Sequence, residues 1–132
     1  MNRIEAVITA IETYEGITIV SFEAAGQPLR MMALELDDML RVGSKVVLGA
    51  KASNIALAKG ALEMLSISNR LECVVESVET GVLLSSVKLR LGESLLISVI
   101  TRDSSERIGL QSGDRITALI KASELSVLEI TQ

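Results

Sequence analysis

The chain has no histidine, no tryptophan, and one each of cysteine, proline, tyrosine and phenylalanine. Each shortage closes a class of function. Without His or paired Cys, zinc ligation and a Ser-His-Asp relay lack their parts, and no Gly-rich phosphate loop of Walker spacing occurs. One Tyr and one Phe cannot build the stacking platform that single-stranded nucleic acid needs. Basic charge is short as well: 13 Lys+Arg against 17 Asp+Glu, net −4, is the reverse of a phosphate-binding footprint. No apolar run approaches the ~20 residues that cross a bilayer, and Met1-Asn2-Arg3-Ile4-Glu5 carries an acid where a signal peptide would be apolar. These absences predict a cytoplasmic protein with neither nucleic-acid nor membrane partners. Lone Cys73 reads as a small core residue of a reducing compartment.

What is present is aliphatic. Hydrophobic residues make up 48% of the 132-residue chain and aromatics 2%, so burial must come from Val, Ile, Leu, Ala and Met. Thr117 to Val127 largely repeats Val47 to Leu57, with Lys121-Ala122-Ser123 over Lys51-Ala52-Ser53; Asn69-Arg70-Leu71-Glu72 likewise answers Asn2-Arg3-Ile4-Glu5. The chain is a duplication, with expected domains at 1–62 and 66–132. A unit of ~60 residues buries only ~60% of its unfolded surface. With disulfides and metal absent, self-association is the remaining support, and a homo-oligomer is expected.

Each half reads as five short strands. In the first they are 4–11, 17–22, 29–33, 45–51 and 55–58; in the second, 71–78, 82–91, 94–101, 115–121 and 125–130. Turns fall at Glu15-Gly16, Gly26-Gln27-Pro28, Thr80-Gly81 and Gly92-Glu93. One helical turn is expected in each half, at 35–40 and 104–108, the second with Asp103 or Ser104 as N-cap and Gly109 closing it. The joining segment 59–66 reads as packed, not as a free tether. The resulting fold class is all-β: two tandem five-stranded OB-type barrels, each with one short helical turn.

Glu5, Glu72, Glu76 and Glu79 sit at outward strand positions and read as solubilising acids, so the chain is not expected to be an enzyme and needs no cofactor. The remaining polar groups of interest are Lys-Ala-Ser at two strand ends, Ser66-Ile67-Ser68-Asn69, and Thr101. They are hydroxyl, amide and ammonium donors, the set that holds a compact oxyanion; capping and snorkelling are their structural alternatives.

The second half, from Ser66-Ile67-Ser68-Asn69-Arg70-Leu71 through Ile100-Thr101 and Ile108-Gly109-Leu110-Gln111-Ser112-Gly113-Asp114 to Ile120-Lys121-Ala122-Ser123, resembles the Mop (molbindin) domain, and the first half its TOBE relative. That resemblance implies binding of molybdate or tungstate at subunit interfaces of an oligomer, typically a trimer, for storage or buffering of the anion. The alternative is a free-standing regulatory module acting on a transporter or transcription partner. The family's oxyanion-binding positions fall on Ser66, Asn69, Thr101, Lys121, Ala122 and Ser123, and in the first half on Asn2, Lys51, Ala52 and Ser53. The family's motif Arg falls on Ser68, with Arg70 two residues on, so both are candidates. No metal is implied except within the anion.

Overall fold

The computed structural model describes residues 1–132. Its strands are β1 (Asn2–Tyr14), β2 (Ile17–Ala24), β3 (Gln27–Ala33), β4 (Lys45–Ala50), β5 (Ala56–Ala58), β6 (Asn69–Thr80), β7 (Leu84–Leu91), β8 (Ser94–Thr101), β9 (Arg115–Ile120) and β10 (Ser126–Ile130). Along β1 and β6 buried and exposed residues alternate, which puts Ile4, Ala6 and Ile8, and then Leu71, Cys73 and Val75, inward. Glu5, Glu72, Glu76 and Glu79 face water, as their spacing predicts. Glu15 and Gly16 both take positive φ, 49° and 82°, the geometry of a tight hairpin whose twist matches its strands. Pro28 lies inside β3 and not in the turn before it; Ala25-Gly26 makes that turn, and β3 is an edge strand, where a missing N–H is tolerated.

The ten strands form two antiparallel five-stranded sheets, and these do not coincide with the two halves of the sequence. One sheet runs β10-β4-β1-β2-β3 and the other β5-β9-β6-β7-β8. The fifth strands have changed places. Val127 pairs with Leu48 of the first half, and Leu57 pairs with Ala118 of the second. Each exchange follows a short 3₁₀ turn, Ala52–Asn54 or Ala122–Glu124, flanked by extended residues such as Lys51 (φ −69°, ψ 141°) and Lys121 (φ −62°, ψ 144°). Such a turn does not fold the chain back on the strand it has left, so the next strand is delivered to the neighbouring sheet. A bulge between Val127 and Glu129 lays Leu128 over Gly49, where an added Cβ would stand 2.7 Å from Leu128 Cγ. One cluster of 24 buried hydrophobic residues draws on both halves, so the exchanged sheets share a single core.

The first half has no helix at 35–40. Residues 37–40 close one hydrogen-bonded turn, with Leu40 N–H donating to Asp37 O at 3.0 Å, and it goes no further because the Asp37 carboxylate accepts the Met39 N–H at 2.8 Å and offers the backbone an alternative to helix. The only α-helix is α1 (Arg102–Ile108), in the second half, closed by Gly109 at φ 64°. Its N-cap is Thr101, whose Oγ1 accepts the Ser104 N–H; Asp103 and Ser104 lie inside the helix. The joining segment departs from expectation too: Met64 is 99% exposed, and the segment is tied down by Lys59 and Arg70 instead of by apolar packing.

Cys73 is buried, and desolvation, reinforced by the nearby Glu72 carboxylate, pushes its thiol up to about 11. The unfolded chain loses this proton first as pH rises. The corresponding stability is therefore complete below the ordinary thiol range and declines from about pH 9 toward 11. We expect no reaction with a chromogenic disulfide reagent at pH 8 until denaturant is added; rapid labelling of the native protein would show the site to be open.

Candidate functional site

The two Lys-Ala-Ser segments begin the 3₁₀ turns that carry the chain between sheets. Each turn packs against an edge strand of the sheet it is entering: Ala52–Asn54 against β8, and Ala122–Glu124 against β3. The first contact is tightened by buried Ser98, whose Oγ donates to Ile55 O at 2.6 Å. The two turns also meet, through Asn54 Nδ2 donating to Glu124 Oε2 at 2.8 Å. Between them lies a cleft of about 210 Å³ lined by residues that include Lys51, Asn54, Ser123 and Glu124.

Lys51 and Ser123, from opposite halves, are thus brought together. Ala52, Ser53, Lys121 and Ala122 adjoin the cleft in the chain but do not line it. The Lys51 ammonium and the Ser53 and Ser123 hydroxyls are exposed, and so is Lys121. The first N–H groups of a helical turn have no partner within it, and together with an ammonium and hydroxyls they form a donor set for an anion. Glu124 brings a carboxylate to the same cleft, where it is held by the Asn54 amide.

Asn2 and Asn69 do something different. The Asn69 side chain accepts the Arg30 N–H at 2.7 Å and donates to Arg30 O at 2.8 Å; Asn2 makes the same pair of bonds to Ile97, both at 2.8 Å. The two clamps are related by one offset, 67 residues (69 minus 2, and 97 minus 30). Each amide acts as a strand's peptide group and satisfies the outer face of the other half's edge strand, β3 or β8. Both are buried, so their hydrogen-bonding capacity serves the junction between the sheets.

Thr101 is committed to capping α1. Arg70 donates to the carbonyls of Leu62, Glu63, Leu65 and Ile67 in the joining segment. Ser66 and Ser68 are exposed within or beside that segment and lie outside the cleft. The sequence reading missed Gln27, whose amide bonds the backbone of Glu72 in both directions, and the buried Ser98. A polar residue at an inward strand position was the available signal for Ser98. Gln27, at the head of an edge strand, carried none.

A larger apolar groove, about 580 Å³, opens between β3 and β10 beside Met31, Met32, Leu36 and Met39. Its polar lining includes the carboxylates Glu35, Asp37 and Glu129, and it lacks cationic donors, so it does not suit an anion.

Comparison with known proteins points to the same chemistry. The TOBE domain family model matches residues 65–127. Molybdenum-pterin-binding protein 1 of Clostridium pasteurianum is 32% identical over 65 residues, which are 48% of this chain and 96% of that protein. MopB of Rhodobacter capsulatus, also a molybdenum-pterin-binding protein, is 40% identical over 89 residues; this chain spans only about a third of its length (33%). The cytoplasmic molybdate-binding protein ModG, in a crystal form with molybdate bound, superposes with a TM-score of 0.89 at 26% identity, over 96% of this chain and 94% of ModG. These relatives are binding proteins and not enzymes, and the likeness to ModG is to a tandem OB-type architecture. Because this chain covers 96% of relatives that are 32% and 31% identical to it, the chain belongs to the molybdenum-pterin-binding (Mop) family of TOBE-domain proteins.

Proposed function

We propose that this protein binds molybdate, or the equally tetrahedral tungstate, in the cytoplasm and serves to store or buffer the anion. The observation that carries this reading is the likeness, over nearly the whole chain, to a protein solved with molybdate bound. The donors are Lys51, Ser53, Lys121, Ser123 and the backbone of Ala52 and Ala122, with Ser66 and Ser68 approaching from the joining segment; Thr101, whose hydroxyl is bonded to Ser104, is not among them. The sites lie at subunit interfaces of a homo-oligomer, most simply a trimer, each chain contributing both sequence repeats, 1–62 and 66–132. Interface placement follows from physics: a desolvated dianion needs many donors, more than one small unit presents. Exposed Tyr14, Leu34, Val82 and Leu83, between 78% and 85% accessible, supply apolar surface for such an assembly.

Lys51→Ala and Lys121→Ala are each expected to weaken molybdate binding by about tenfold or more, the worth of one charge-assisted hydrogen bond. Both side chains are exposed, so the fold should persist. Titration calorimetry with native mass spectrometry reads affinity, stoichiometry and assembly together. Unchanged binding in both variants would remove the lysines from the site, and a bare oligomer in molybdate, tungstate and sulfate would end the oxyanion reading.

A regulatory module acting on a transporter or transcription partner is the second reading, favoured by the open Met-lined groove between β3 and β10. Pull-downs that return the same partners with and without molybdate would count against it.

A further inference from the structure

The segment joining the two units is held by one guanidinium. No backbone–backbone hydrogen bond involves residues 60–68. In their place, Arg70 Nε donates to Ile67 O at 3.0 Å and Nη2 to Leu65 O at 2.9 Å, with longer bonds from Nη2 to Glu63 O (3.5 Å) and from Nη1 to Leu62 O (3.4 Å). Four of the five N–H donors of the side chain are engaged, which leaves it little capacity for an anion.

In a trans peptide the C=O and the following N–H point in opposite directions. The carbonyls of Leu65 and Ile67 turn toward Arg70, so the N–H groups of Ser66 and Ser68 turn away from it. The hydroxyls of these serines are exposed and have no partner in the protein.

We propose that Arg70 is a positioning residue for oxyanion binding: by gathering the Leu65 and Ile67 carbonyls, it turns the N–H and hydroxyl donors of Ser66 and Ser68 outward to the ligand. This rests on the oxyanion function proposed above and assigns Arg70 a part in it other than direct contact. A planar fork is required, because a lysine ammonium cannot bridge several carbonyls in fixed geometry.

The test compares Arg70→Lys and Arg70→Ala with the unmodified protein, by molybdate calorimetry and by NMR backbone order parameters across residues 61–68. A direct ionic contact would be largely kept by Arg70→Lys. Positioning predicts that Arg70→Lys loses affinity as Arg70→Ala does, by about tenfold or more, the scale found for supporting groups around bound ions, with lower order parameters at Ser66 and Ser68 in both. A Ser66→Ala/Ser68→Ala double variant should lose affinity with order parameters in the segment unchanged. Wild-type affinity in Arg70→Lys or in the double serine variant would overturn the positioning role alone. No heat from the unmodified protein would overturn the oxyanion function, and the positioning role with it.

Discussion

A chain ending at Ser123 is expected to lose its N-terminal sheet while its C-terminal sheet survives longer. The removed residues include all of β10, which pairs with β4 and not with any strand of its own half. They also include Leu125, 4% exposed in the shared core, and the Thr131 and Gln132 backbone groups that bond the backbone of Lys45. Loss of Leu125 alone carries the cost of a core truncation, about 2–5 kcal/mol, against a total stability of roughly 5–15 kcal/mol for an ordinary domain. With the β4 edge bared as well, cooperative folding of the first sheet should fail. Hydrogen exchange reads the outcome by position. Protection should disappear at Val46, Val47 and Leu48 before it falls at Ile116, Ala118 and Ile120. The opposite order would mean that β10 stabilises its own half. Leu125→Ala is the single-site version, with the same order of loss and a smaller amplitude.

Replacing Asn69 by Ala should destabilise the protein by about 2–4 kcal/mol, without touching any charged group. Two part-buried hydrogen bonds are lost, and the N–H and C=O of Arg30 are left without their partner, so part of the desolvation cost of both groups is added to the bonds themselves. Asn69 is 1% exposed whereas Asn2, at the chain terminus, is 9% exposed. The Asn2→Ala variant should therefore lose less, because water can replace part of its clamp. Urea unfolding measures both. A change below about 0.5 kcal/mol for Asn69→Ala would mean that the clamp is replaced by solvent, since that is the scale of ordinary surface substitutions. Asn69→Ala should also raise self-association, because it uncovers an edge strand.

Both predictions depend on contacts between residues far apart in sequence, and this separates what was legible from what was not. The alternation of Ile4, Ala6 and Ile8 against Arg3, Glu5 and Val7 is a property of neighbouring residues, and it places the strands to within a few positions. The 67-residue correspondence of Asn2 with Asn69 is visible by inspection, as is the Lys-Ala-Ser pair. Glycine at 109 marks the end of α1 because few other residues accept its left-handed backbone. Residues 35–40 read as a helical turn from composition; they close one hydrogen-bonded turn at 37–40, and the Met39 N–H donated to the Asp37 carboxylate keeps it from extending.

The sequence by itself determined an all-β duplicated chain of the Mop type, its strands, its buried Cys73 and its donor-bearing Lys-Ala-Ser turns, because these follow from local alternation, glycine and proline geometry, and repetition. Only the tertiary structure decided which sheet each fifth strand joins, that Asn2 and Asn69 clamp edge strands, and that Arg70 holds the joining segment. The physical reason is that Ala56–Ala58 and Ser126–Ile130 carry the same strand-forming pattern toward either sheet. An amide or guanidinium, likewise, has the same bonding capacity toward an anion as toward a backbone carbonyl. The choice is made by the direction in which the 3₁₀ turns release the chain and by which unpaired backbone groups are then within reach.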